Sequence, residues 1–119
     1  MTSPHRPAGI HLLADLHGIQ PDLLTDAAQI DALLRGAALA AGARILHSHF
    51  HTFGPGMGVT GVLLLAESHI SIHTWPEVGF AAADIFMCGE AQPQLALDLI
   101  EASLRPQSRA LRTVQRGQL

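Results

Sequence analysis

The sequence predicts an α+β fold, a two-layer α/β sandwich in which an antiparallel sheet carries two helices on one face. Three observations point there. Several short runs alternate apolar and polar residues with period two, as half-buried strands do. Two longer segments repeat apolar residues every three or four positions, the helical spacing. The strand-like runs between Arg44 and Cys88 follow one another with short links, and consecutive strands so joined pair antiparallel.

Residues 1 to 8 carry two prolines and no periodicity and read as a loose tail. From Ile10 the chain alternates, with Ile10, Leu12, Ala14 and Leu16 on one face and His11, Leu13, Asp15 and His17 on the other, until Gly18 and Pro21 end the strand. Leu23, Ala27, Ile30, Leu34, Ala37 and Ala41 then mark an amphipathic helix from about Thr25 to Ala41, closed by Gly42. Arg44 to Phe53 alternates again. Ile45, His47, His49, His51 and Phe53 share one face; Leu46, Ser48, Phe50 and Thr52 share the other. Gly54 to Gly58 is a loop. Val59 to Ala66 starts the next strand, which runs on past an interruption at Ser68 through Ile70 and Ile72 until Trp75-Pro76-Glu77. Phe80 to Cys88 follows, with Phe80, Ala82, Asp84, Phe86 and Cys88 on one side. Pro93 suits the first turn of a second helix that carries Leu95, Ala96, Leu99, Ile100 and Leu104 before Pro106 stops it. Ala110 to Val114 makes a last short strand. The uncovered sheet face must meet solvent, a ligand or another subunit.

The 119 residues suffice for a single domain, 1–119. With 48% hydrophobic and 14% charged residues the chain forms a core, and the scarcity of charge suggests that part of its apolar surface is covered by a second subunit. A net charge of -3 without a basic stripe argues against a nucleic-acid partner. No apolar run reaches the roughly 20 residues of a membrane span, and the N-terminus lacks an apolar signal core, so the cytoplasm is the expected location. A single cysteine, Cys88, forms no internal disulfide and is either a small buried hydrophobe or a reactive thiol.

Reactive side chains concentrate in Glu67-Ser68-His69-Ile70-Ser71-Ile72-His73-Thr74-Trp75-Pro76-Glu77, directly after a very apolar strand. Ser68 has histidines one and five residues on. Serine needs a neighbour to take its proton, and histidine is the usual acceptor near neutral pH. By spacing alone this remains one Ser-His pairing among many.

The wording of the segment is more specific. Ala66 to Glu77 closely resembles the processing site of the short, prokaryotic-type S-adenosylmethionine decarboxylase proenzymes. The likeness extends through Gly79 to Gly89 and reaches back to His11-Leu12-Leu13-Ala14-Asp15 and Phe50-His51-Thr52-Phe53. The resemblance implies self-cleavage between Glu67 and Ser68 into chains 1–67 and 68–119. Ser68 would become a pyruvoyl group that forms a Schiff base with the substrate, so that neither pyridoxal phosphate nor a metal is required. By the same resemblance His73 serves as proton acceptor and donor in processing, Cys88 as proton donor in catalysis, and Thr60 assists processing where relatives carry serine. The resemblance further implies that Phe53 would stack on a purine and Glu67 would bind substrate hydroxyls, and it agrees with the homodimer that the open sheet face and low charge suggest, each subunit contributing to two active sites. The product would supply an aminopropyl group for spermidine.

Three features differ from the family pattern: Val78 and Phe80 stand where tyrosines are common, Thr52 where an arginine is common, and the loop Gly54–Gly58 is glycine-rich. They leave the cleavage chemistry intact and keep arginine or ornithine open as substrates beside S-adenosylmethionine. A third reading is a non-enzymatic metal-binding domain built on His47, His49 and His51, since alternate histidines on a strand can bind zinc. No acidic or cysteine ligand adjoins them in sequence, which favours a structural or site-lining role. Trp75 reads as a packing anchor, and Asp84, on the Cys88 side of its strand, as a group that orients the thiol or solvates the strand.

Overall fold

The computed structural model describes residues 7–117. The first six residues of the expected tail lie outside the described residues. Six strands form one sheet: β1 (Gly9–His17), β2 (Ile45–Thr52), β3 (Val59–Leu65), β4 (Ser68–Trp75), β5 (Phe80–Cys88) and β6 (Ser108–Arg116). Helices α1 (Ala27–Ala40) and α2 (Pro93–Leu104) complete the two layers. All neighbours are antiparallel in the order β2-β3-β4-β5-β1-β6.

Both helices lie on the same sheet face, α1 over β2 and β3, α2 over β5 and β1, and they pack on each other. Alternation decides which side chains meet them. Leu12, Ala14 and Leu16 of β1, Leu63 and Leu65 of β3, Ile70 and Ile72 of β4, and Ala81, Ala83, Ile85 and Met87 of β5 are buried beneath Ile30, Leu34, Ala37, Leu97 and Ile100. The opposite face carries no layer of its own among the described residues.

Three expectations are corrected. The segment from Val59 to Trp75 is two strands, because the chain reverses at Ala66-Glu67 and pairs Leu65 with Ser68. Ser68 therefore opens a strand and does not interrupt one. No glycine, proline, asparagine or aspartate marks this turn; Glu67 itself takes a left-handed φ of 60°. Ile45 lies with the core and not with the histidines, because a bulge between Ile45 and His47 shifts the alternation by one residue. Helix α1 starts at Ala27, since Asp26 caps it by accepting from the Ala28 and Gln29 amides, while Leu23 falls in a separate 3-10 turn, Pro21–Leu24.

Thr74 is the buried polar side chain of the described core. Its Oγ1 accepts from the Val59 amide at 2.8 Å and donates to the Leu24 carbonyl at 2.7 Å, tying the 3-10 turn to two strands.

Candidate active site

Ser68 stands half-buried at one end of the sheet, where the Ala66-Glu67 turn delivers it. Its Oγ accepts a hydrogen bond from the Cys88 amide at 3.2 Å, so the last residue of β5 fixes the first residue of β4. The Cys88 thiol reaches across β1 at Gly9, where a Cβ would stand only 2.8 Å from Sγ. Only the absence of a side chain at Gly9 leaves this path open. Burial, and then the nearby Glu67 carboxylate, push the Cys88 thiol above its ordinary value and keep it protonated.

Beside the thiol, the open face carries a ring cluster that the registers bring into one row. His69, Phe86, His11 and Val114 are consecutive partners across β4, β5, β1 and β6. His11 meets His69 edge-on at 5.9 Å between centroids, and the Arg116 guanidinium lies 5.6 Å from the centre of the Phe86 ring. Asp84 approaches His11 Nε2 at 3.9 Å, so the partner the structure gives this aspartate is a histidine of β1. Burial, then His11, hold His69 below the usual histidine value; Arg116 adds to this and Asp84 opposes it. Gly9, Phe86 and Arg116 were not singled out in the sequence as site residues. Nothing local marks them, because they meet only through the pairing of β1 with both β5 and β6.

Thr60 and His73 lie directly opposite each other on β3 and β4, with Thr60 Oγ1 and His73 Nδ1 3.1 Å apart. Phe53 follows β2 at the same end, exposed, its ring 4.7 Å edge-on from His51. Trp75 lies 6.2 Å from His73 and 5.3 Å from Phe80. The structure thus brings Ser68, Glu67 and Cys88 together, and separately Thr60, His73 and Phe53. It does not bring the two groups together within one chain: five steps along extended β4 carry the chain from Ser68 to His73, about 17 Å. His47, His49 and His51 line the open face of edge strand β2. Among the described residues no three His, Cys, Asp or Glu side chains converge as metal ligands.

The site is that of a small α+β domain with a serine at a tight turn, its hydroxyl held by the amide of a cysteine. The sequence profile of S-adenosylmethionine decarboxylase matches residues 10–117, and the chain belongs to that family. It is 46% identical over 110 residues to an S-adenosylmethionine decarboxylase proenzyme of Persephonella marina, covering 92% of this chain and 82% of the relative. A proenzyme of the same name from Methanococcus maripaludis is 43% identical over 110 residues, covering 92% and 89%. The crystal structure of the Aquifex aeolicus adenosylmethionine decarboxylase superposes with a TM-score of 0.87 at 39% identity, covering 96% of this chain and 94% of that one.

Proposed function

We propose that this chain decarboxylates S-adenosylmethionine and makes its own reactive carbonyl from Ser68. The observation that carries the reading is the seat of the Ser68 hydroxyl: at the end of a tight turn, beside Glu67, held by the Cys88 amide. In processing, Ser68 Oγ adds to the Glu67 carbonyl and the C–N bond breaks, giving an ester and a free Ser68 amine. Loss of the Ser68 α-proton expels the Glu67 carboxylate and leaves dehydroalanine. One water enters and one ammonia leaves, and chain 68–119 begins with a pyruvoyl group while chain 1–67 ends at Glu67.

The residues present fit that group: its precursor hydroxyl is in place, held by the Cys88 amide, and the thiol of the same cysteine is shifted toward its protonated form. A pyruvoyl carbonyl supplies an electron sink for the pair released with carbon dioxide. Cys88 then holds the proton that the α-carbon requires. Glu67 remains beside the site, placed to bind substrate hydroxyls. The names of the relatives support S-adenosylmethionine over arginine or ornithine. The same names support an enzyme over a non-enzymatic metal-binding domain on the histidine face.

His73 and Thr60 act from a second copy. A homodimer that packs open face on open face about a two-fold axis places the Thr60–His73 end of each protomer over the Ser68–Cys88 end of the other. His73 of the partner subunit then takes the Ser68 α-proton, Thr60 of the partner subunit fixes its ring, and Phe53 of the partner subunit offers an aromatic face to the purine. Each layer also excludes water from the other's site. The product fits an aminopropyl donor for spermidine synthesis, and a cytoplasmic location accords with such a role. No helix among the described residues is long and apolar enough to cross a membrane.

Carbon dioxide release from S-adenosylmethionine, arginine and ornithine tests the substrate. Release from S-adenosylmethionine alone is expected; turnover of either amino acid in its place contradicts the assignment.

A further inference from the structure

We propose that the left-handed backbone of Glu67 is part of the cleavage machinery, a strained hinge whose relaxation drives transfer of the Glu67 acyl group from nitrogen to the Ser68 oxygen. The inference rests on the reading of Ser68 as the cleavage site. Among the described residues the non-glycine positions with positive φ are Arg105, at 51°, and Glu67, at 60°. Arg105 is the cap of α2, where a left-handed residue ends a helix in the ordinary way. Glu67 has no such role. It occupies the second position of a tight turn that glycine or asparagine would fill without penalty.

The turn is held from both sides. Leu65 pairs with Ser68 across the ladder, the Ala66 amide donates to the Arg44 carbonyl at 2.9 Å, and the Cys88 amide holds Ser68 Oγ at 3.2 Å. Glu67 cannot return to an extended conformation while the peptide bond to Ser68 is intact and these bonds persist. The acyl shift changes that. In the amide a single nitrogen bridges the Glu67 carbonyl carbon and the Ser68 Cα; in the ester, Oγ and Cβ bridge them. The longer link frees the turn, so strain present in the amide is relieved in the ester, and an otherwise uphill exchange moves forward. The use of glutamate where glycine fits best is then a property of the reaction and not of the fold.

The test compares variants that differ in backbone preference and share the loss of the carboxylate. Full-length proenzymes carrying Glu67→Ala, Glu67→Asn or Glu67→Gly are followed from synthesis by intact mass. Cleavage of Glu67→Gly is expected to be about 5- to 30-fold slower than that of Glu67→Ala, the factor set by the left-handed cost of a residue with a Cβ, with Glu67→Asn between them. In an uncleavable Ser68→Ala background, Glu67→Gly is expected to melt no lower than Glu67→Ala, since it removes strain. Glu67→Gly cleaving as fast as Glu67→Ala overturns the proposal. So does slower cleavage with a lower melting temperature, which marks a merely loosened hairpin. If the parent and all variants stay uncleaved, it is the assignment of Ser68 that fails.

Discussion

Cys88 shows how one position serves two purposes. Its amide holds the Ser68 hydroxyl and its thiol lies in the gap left by Gly9. Burial and the Glu67 carboxylate both raise its pKa, so the protonated form, the one able to donate, persists to higher pH than in a free thiol. Cys88→Ala is therefore expected to retain self-cleavage while decarboxylation slows by about 10²-fold or more, read as separate rates of fragment appearance and carbon dioxide release. The alkaline limb of the turnover profile is expected above the ordinary thiol range. His69 gives a second pH effect with the opposite sign. Its folded-state pKa is lowered, so the unfolded chain takes the proton first as pH falls. Stability is full above the ordinary histidine value of about 6.5 and is lost as pH drops toward the lowered one. Melting temperature measured against pH is expected to show this acid loss, and His69→Gln to flatten it. At this scale the serine, the thiol and their neighbours were legible through the wording of the motif. The left-handed φ of Glu67 was not, because glutamate carries no signal for it.

Among the elements, alternation was a sound guide wherever a strand buries one face, since a one-residue slip would turn its whole apolar set outward. It sorted the residues of β1 and β5 into the two faces that the structure gives them. It failed at two irregularities, the Ala66-Glu67 turn and the bulge before His47, because neither uses residues that announce a change of direction. Thr74 shows what holds the far end of the site in place. Its hydroxyl joins the amide of Val59, at the start of β3, to the carbonyl of Leu24, and it sits between His73 and Trp75. Thr74→Val keeps the shape and leaves both backbone groups buried without this partner. A loss of about 1–3 kcal/mol is expected from denaturant melts of an uncleavable proenzyme. A loss confined to tenths of a kcal/mol would show that water or a backbone shift replaces the hydroxyl.

For the whole molecule, strand order was the least legible feature. Composition, two helices and a run of consecutive strands define a two-layer sheet, but nothing local says that β1 inserts between β5 and β6. That insertion sets Gly9 against the thiol and gathers His11 and Arg116 around Phe86, so these surroundings followed from topology. The straight run of β4 has the larger consequence, since it sets His73 about 17 Å from Ser68, and under the proposed reading one protomer then needs the other to complete its site. Complementation reads this directly. A Ser68→Ala chain lends its His73 to a His73→Ala chain, so co-expression of the two, distinguished by mass, is expected to restore cleavage of the His73→Ala chain alone. Each variant by itself is expected to stay intact. Failure of the mixture to cleave, in heterodimers shown to form, would place both residues in one protomer.

Conversion of one internal serine into a keto terminus underlies every step above. Intact-mass measurement of the freshly purified wild-type protein tests it most directly. The account predicts two fragments, residues 1–67 and 68–119, the second without a free amino group. A single unbroken chain of 119 residues that nevertheless releases carbon dioxide from S-adenosylmethionine would contradict it.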